Sequence, residues 1–137
     1  MILTNDGEWA NRVLHPRYGV EREYAVLLAD LPSREEVDAL LDGVELDDGP
    51  ARLLSAERMA PPREVARGHG ERGTWIRVRV GEGRKREVRR LFAAVDGRVE
   101  RLVRTRFGSL TLAGLNEGQW RQLRPREVAA LSAARRR

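Results

Sequence analysis

Five basic side chains follow a pair of glycines in the most chemically suggestive stretch of the chain, which runs from Gly81 to Phe107 as GEGRKREVRRLFAAVDGRVERLVRTRF. The glycines allow a sharp turn into a helix, whose free N–H groups add positive potential to that of the side chains. Groups of this kind bind phosphate, so the stretch predicts a surface for a polyanion. The basic candidates are Arg84, Lys85, Arg86, Arg89 and Arg90.

The spacing of the apolar residues predicts a helix over residues 85–95. At about 100° per residue, one stripe collects Val88, Leu91, Phe92 and Val95. Arg86 and Arg90 point away from this stripe. Arg89 lies at its border, where a half-buried guanidinium needs an anionic partner. The helical wheel thus predicts a half-buried Arg89 with an anionic partner, and a solvated helix charge is the alternative.

A strand carrying further basic side chains is predicted after the turn at Asp96-Gly97. In the run Val99–Phe107, alternation puts Val103, Thr105 and Phe107 on one face and Leu102, Arg104 and Arg106 on the other. Arg104 and Arg106 would then extend the basic surface of the helix. For each of them, ordinary surface charge remains the alternative.

The composition fits one soluble globular domain with a polyanionic partner. The chain has 137 residues, 41% hydrophobic and 34% charged, with a formal net charge of +5. Residues 30–49 carry eight acids and one arginine, whereas residues 72–106 carry twelve bases and four acids. A genome-wide bias towards arginine is the alternative explanation, but it would spread arginine more evenly. The uneven distribution favours a nucleic-acid partner.

Several other classes of function are disfavoured. The chain has no cysteine, which excludes disulfides and thiolate metal sites and is compatible with a cytoplasmic location. His15 and His69 are far apart and lack neighbouring ligands, so we expect no metal site. No apolar run approaches the length of a membrane span, and no secretion signal is recognisable.

The elements that must position the basic stretch can be predicted in order. Residues 1–4 suggest a strand, and residues 8–15 suggest a helix ended by Pro16. Residues 22–29 alternate with apolar side chains on both faces, which predicts a central strand. Ser33-x-x-Glu36 fits a capping box at the start of a short helix.

The remaining elements complete an α+β fold, a mixed and largely antiparallel sheet with helices packed on it. Short strands are expected in 44–60 and a strand at 74–80, separated by a mobile loop at 61–73. Further strands are expected at 109–112 and 120–123. Pro125 is well placed to begin a closing helix, and residues 135–137 form a basic tail.

Three segments together resemble the bacterial ribosomal-RNA pseudouridine synthases of the small-subunit, Rsu-like branch. They are LTNDGEWANRVLHPRYGVEREY, GVELDDG and EGRKREVRRLFAAVDGRVERLVRTRFGSLTLAGLNEGQWRQL. The resemblance runs from Leu3 to about Val128, with the motifs in the family's order. The chain is identified on these motifs as a member of that family and as a single catalytic domain over 1–137.

The resemblance implies an isomerase that needs no cofactor and acts on structured RNA, with ribosomal RNA as the expected partner. Such enzymes cleave the glycosidic bond of an extruded uridine, turn the base and rejoin it through carbon 5. Tyr24 matches the tyrosine that stacks on the base, and an ordinary core tyrosine is the alternative. Arg89 matches the base that pairs with the catalytic aspartate. The residues implied to line the RNA channel are Arg84, Lys85, Arg86, Arg90, Arg104 and Arg106.

One departure from the family pattern concerns catalysis. The family's aspartate lies in a G-R-L-D-x-x-T-x-G-L segment just upstream of L-T-N-D-G, and no aspartate here matches it. Asp6 belongs to a turn that we interpret as structural. The small N-terminal RNA-binding domain common in the branch is also unmatched, and Arg86-Glu87 replaces an Arg-Gln pair on what we expect to be the polar side of the helix.

These departures lead to an expectation of N-terminal truncation. The isolated chain should be inactive, and it could self-associate through an uncovered sheet edge. Three origins remain open: a shortened gene product or start-site error, a split or trimmed protein, and a non-catalytic RNA-binding module on the same scaffold. A DNA-binding protein is disfavoured because no helix-turn-helix or zinc spacing is found.

Overall fold

The computed structural model describes residues 1–15, 19–68 and 70–133. Within them, the strands are β1 (Arg22–Leu28), β2 (Val44–Leu46), β3 (Gly49–Ala51), β4 (Ser55–Arg58), β5 (Thr74–Val80), β6 (Val99–Phe107) and β7 (Leu110–Thr111). The helices are α1 (Gly7–Leu14), α2 (Arg34–Asp42), α3 (Glu87–Ala93) and α4 (Pro125–Ser132).

One sheet of five strands, in the order β4-β5-β1-β6-β7, organises the molecule. All of its pairings are antiparallel. The strands β2 and β3 form a separate hairpin. The predicted α+β class is therefore confirmed. No helix in the described part of the chain is long and apolar enough to cross a membrane.

The main core lies between the sheet and the helices α2 and α3. Val26 and Leu28 of β1 pack there with Leu40 of α2 and with Leu91 and Phe92 of α3. On the opposite face of the sheet, Ala25 and Leu27 pack under Met59, Trp75 and Val103. Because both faces of β1 are covered, the prediction of a central strand is confirmed.

The helices α1 and α4 close a second core at the end of the sheet. Val13 of α1 and Leu131 of α4 pack there with Phe107 of β6. The indole Nε1 of Trp9 donates to the carbonyl of Val128 at 3.0 Å, which joins the two helices. Asp6 caps α1 by accepting the Trp9 backbone N–H at 3.1 Å, as its structural interpretation predicts.

Several element boundaries differ from those predicted. Residues 1–4 and 120–123 form no strand. The helix expected over 85–95 extends only from Glu87 to Ala93, and it begins late because Arg86 adopts a left-handed conformation (φ 53°). Three predictions concern residues outside the described part of the chain. They are the helix stop at Pro16, the absence of a metal role for His69 and the basic tail at 135–137.

The loop over 61–73 is tied to the sheet through Glu71. The Glu71 carboxylate accepts hydrogen bonds from Arg101 Nη1 at 2.7 Å and from Trp75 Nε1 at 3.2 Å. The hydrogen bond from Arg101 is the main cause that holds the pKa of Glu71 below its usual value. Gly73, at φ +115°, closes the loop where any Cβ would collide with the Leu28 carbonyl. Mobility of this loop stays a prediction, and these contacts oppose it.

Candidate functional site

Tyr24 and Arg89 lie on the same side of the sheet. Tyr24 is half-buried on β1, where it packs against the main core. Arg89 is half-buried on α3, next to Val88 of that same core. Its Nη1 donates to the carbonyl of Val99 on β6 at 3.4 Å. The sequence-predicted pair is therefore on one face of the sheet, while the chemical roles of both residues stay predictions.

Arg22 is a buried cation that the sequence analysis missed. Its side chain points to the Tyr24 side of β1, and the residue is only 6% exposed. Nη1 donates to the Val20 carbonyl at 2.8 Å, and the guanidinium lies 4.9 Å from the centre of the Phe107 ring. A Cβ on Gly83 would come within 3.1 Å of it, so the glycine leaves the space that the guanidinium fills.

The charge of Arg22 is held in an environment that disfavours it. Burial is the main cause that lowers the pKa of Arg22, and the nearby guanidinium of Arg104 lowers it further. The phenol of Tyr24 and the carboxyl groups of Glu87 and Glu82 act in the opposite direction. The signal in the sequence was an arginine two residues before Tyr24 on a strand whose two faces are both apolar.

A β-bulge separates Arg104 from Arg106. Tyr24 is opposite Arg104 while Glu23 is opposite Arg106, so β6 carries one extra residue between them, Thr105. The prediction that Arg104 and Arg106 share a face, with Phe107 on the other, is therefore wrong. Arg104 faces the Tyr24 side, 4.8 Å from the centre of the Phe107 ring. Arg106 is exposed on the opposite side of the sheet.

Arg84 and Arg90 are bound within the protein by Asp48, in the turn between β2 and β3. Arg90 donates to both Asp48 carboxylate oxygens, at 2.8 and 3.1 Å. Arg84 donates to the same carboxylate at 2.9 Å and to the Pro50 carbonyl at 2.8 Å. The bond to Arg90 is the main cause that lowers the pKa of Asp48. These contacts favour a structural role for both arginines, and RNA contact by them stays a prediction.

Lys85 and Arg86 are exposed just before α3. Arg86 occupies the N-cap position without a side-chain capping bond. No ion pair within 4.0 Å involves either residue in the described part of the chain. Both side chains are therefore open to a polyanion in solution, and RNA contact by them stays a prediction.

Glu87 is buried, contrary to the expectation that it lies on the polar side of the helix. It is 4% exposed, and its carboxylate lies 3.6 Å from Nε of Arg84. Glu87 is the first residue of α3 and directly follows Arg86, whose backbone is left-handed. Burial, followed by a hydrogen bond with Glu82, raises the pKa of Glu87 to about 7.

We expect Glu87→Gln to stabilise the protein in a pH-dependent way. Unfolded Glu87 ionises near its usual pKa of 4.5, whereas the folded carboxyl group holds its proton up to about pH 7. The wild-type protein therefore loses stability as pH rises between these values and stays at the lower level above pH 7. The variant avoids this loss, so urea denaturation at pH 8.5 should show a gain of about 1–2 kcal/mol.

The same comparison at pH 3.5 should show almost no gain, because Glu87 is then protonated in the unfolded as well as in the folded wild-type protein and resembles glutamine in both. Glu100→Gln, at an exposed position of β6, is the matched control and should behave alike at both pH values. A gain from Glu87→Gln that does not change with pH would contradict the assignment.

A broad cleft of about 930 Å³ opens beside β6 and β7. Three large apolar residues along it are strongly exposed, namely Met1 at 98%, Leu3 at 81% and Trp120 at 86%. Self-association through a sheet edge stays a prediction. Among the described residues, no three His, Asp or Glu side chains are grouped as a metal site would require.

Comparison with known proteins gives a consistent result. The family model described as RNA pseudouridylate synthase matches residues 1–94. "Ribosomal large subunit pseudouridine synthase B" of Pseudomonas aeruginosa is 41% identical over 133 residues, covering 96% of this chain and 33% of that protein. The Bacillus subtilis protein of the same name is 33% identical, covering 97% of this chain and 52% of that one.

A solved structure described as a pseudouridylate synthase matches with a TM-score of 0.73 and 27% identity. The match covers 93% of this chain and 52% of that one. The chain thus spans about a third to a half of the length of the curated relatives cited above.

Proposed function

This chain belongs to the RNA pseudouridylate synthase family, and from that premise we propose that it forms part of the active site of an enzyme that isomerises uridine in ribosomal RNA. In this proposal Tyr24 stacks on the extruded uracil and Arg89 pairs with the catalytic aspartate. Large-subunit RNA is the proposed substrate, because the relatives cited above carry that name. The proposed compartment is the cytoplasm.

The observation that carries the proposal is the common position of Tyr24 and Arg89 on the α3 side of the sheet. A half-buried tyrosine ring can offer a face to an unstacked base. Arg89 makes one long bond to a backbone carbonyl, and within the described residues no carboxylate lies within 4.0 Å of it. Its remaining donors are suited to a carboxylate that approaches from elsewhere.

We further propose that this carboxylate is supplied from outside the 137 residues. Asp6 is used as a helix cap and Asp48 as the partner of two arginines. Neither residue is free to attack a ribose or to remove a proton from it. No other group in the proposed site replaces an aspartate in that role.

The test is to incubate the purified 137-residue chain with large-subunit ribosomal RNA and to measure binding and pseudouridine content. We expect salt-dependent binding and no detectable pseudouridine. Conversion of uridine by the isolated chain would refute the proposal that the catalytic aspartate comes from outside it. Absence of binding at low salt would refute the role in RNA recognition.

A non-catalytic RNA-binding module is the second candidate, and it is favoured by the basic surface combined with the unmatched aspartate. Both candidates predict binding without chemistry for the isolated chain. They differ when the rest of a relative is supplied, since only an enzyme fragment would then form pseudouridine.

A further inference from the structure

Building on the proposed function, we propose that Arg22, Phe107 and Arg104 form a subsite for a phosphodiester of the RNA, beside Tyr24. Arg104 would contact the phosphate directly. Arg22 would act as a positioning residue that orients Arg104 through the aromatic ring that both guanidinium groups contact. The subsite would hold the backbone of the nucleotide whose base reaches Tyr24.

The geometry joins two guanidinium groups to one aromatic ring. Arg22 and Arg104 lie 4.9 and 4.8 Å from the centre of the Phe107 ring, within the range of cation–π attraction. Arg104 lies opposite Tyr24 and Phe107 lies opposite Arg22, so the bulge at Thr105 places the Phe107 ring on the same face as Arg104 and Arg22. Phe107 is itself anchored in the core formed with α1 and α4.

The electrostatics of this cluster favour an anion. In the described part of the chain, neither guanidinium has a carboxylate oxygen within 4.0 Å, and the Val20 carbonyl is the hydrogen-bond partner of Arg22. The groups that face Arg22 are Tyr24, Arg104, Glu87 and Glu82. Two like charges against one ring repel each other, and a phosphate between Arg104 and the solvent would relieve that repulsion.

Exposure assigns the two arginines different tasks. Arg22 is 6% exposed and is packed against Gly83, so a phosphate cannot reach it. Arg104 is half-buried, with donors not used in a hydrogen bond or ion pair to any described residue. A planar guanidinium fixed on a ring loses little freedom when it binds phosphate.

The first experiment measures the binding of octauridylate to the 137-residue chain over a series of salt concentrations. Arg104→Gln should weaken binding about tenfold and reduce the slope of log K against log salt by about 0.7, as expected for one lost contact to a single strand. Arg98→Gln is the control, because Arg98 is exposed and paired with Glu100 at 3.2 Å. It should change neither quantity.

The role of Arg22 is tested by Arg22→Lys, which keeps the charge and removes the flat stacked group. We expect weaker binding by about two- to fivefold with an unchanged salt slope, together with a shift of the Arg104 Nε–H NMR signal away from its position over the ring. Binding that stays at the wild-type level, or an Arg104 Nε–H signal that does not move, would overturn the positioning role.

A second measurement needs no variant that could misfold. In the unmodified protein, titration with methyl phosphate should move the Arg104 Nε–H signal, whereas uridine without phosphate should not. If methyl phosphate leaves that signal unmoved, the subsite is refuted even where RNA binding persists. The two proposals can fail separately. If methyl phosphate binds here but no pseudouridine forms when this chain is joined to the rest of a relative, the proposed function is refuted and the subsite is not.

Discussion

Replacing Phe92 by alanine is expected to lower the free energy of unfolding by about 3–5 kcal/mol. Phe92 is 1% exposed and lies at the centre of the main core, with Leu40 and Leu91. The helix α3 has only seven residues, so its position depends on this packing more than on its own helical stability. Urea denaturation monitored by circular dichroism would measure the loss.

Trp120→Ala is the matched control, because it also removes a large aromatic side chain, but from a position that is 86% exposed. We expect it to change the free energy of unfolding by less than about 0.5 kcal/mol. A loss below about 1 kcal/mol for Phe92→Ala would mean that α3 is held by something other than the core. Because Arg89 is on the same helix, such a result would also weaken the assignment of the site.

Apolar periodicity and a helix-capping motif correctly predicted the helix α3, the strand β1 and the start of α2. The stripe through Val88, Leu91 and Phe92 identified the buried face of α3, and the unbroken apolar run from Tyr24 to Leu28 in β1 identified the central strand. The capping box at Ser33 and Glu36 is present with both bonds, at 3.1 and 2.8 Å. Each of these signals involves residues within a few positions of one another.

The bulge at Thr105 could not be predicted from periodicity. Strict alternation assigns Arg104 and Arg106 to one face, and only the pairing with β1 and the packing of Phe107 against α1 and α4 reveal the extra residue. The same distant contacts bring Arg22 into the site. The burial of Glu87 was also missed, and so was the left-handed backbone of Arg86 just before it, a conformation that glycine usually signals.

Charge distribution gave a useful but overstated signal. The acidic segment 30–49 and the basic segment 72–106 suggested a surface free to bind a polyanion. In the structure, Asp48 from the first segment binds Arg84 and Arg90 from the second, so part of the asymmetry is neutralised internally. Sequence alone could not show this, because the partners are 36 and 42 residues apart.

The second large effect is expected for Arg89→Ala in an active context. In a chimera, residues 1–133 of this chain replace the matching segment of the Pseudomonas aeruginosa relative, to which the chain is 41% identical. We expect the chimera to form pseudouridine in large-subunit RNA, and Arg89→Ala to reduce the rate about 100- to 1000-fold. The reason is that a charge placed beside the catalytic carboxylate contributes most where water is excluded.

Two variants separate this effect from a general loss of structure. Arg89→Lys keeps a positive charge but not the flat fork that can hold a carboxylate at two points, so it should retain more of the rate than alanine. Arg98→Ala, at an exposed position, should leave the rate unchanged. Since Arg89 donates only one long bond to the Val99 carbonyl, alanine should alter the urea midpoint far less than Phe92→Ala does.

If Arg89→Ala kept more than a tenth of the rate in a folded chimera, Arg89 would be a surface charge. If the unmodified chimera were inactive but still bound RNA, the non-catalytic module would become the better explanation of this chain.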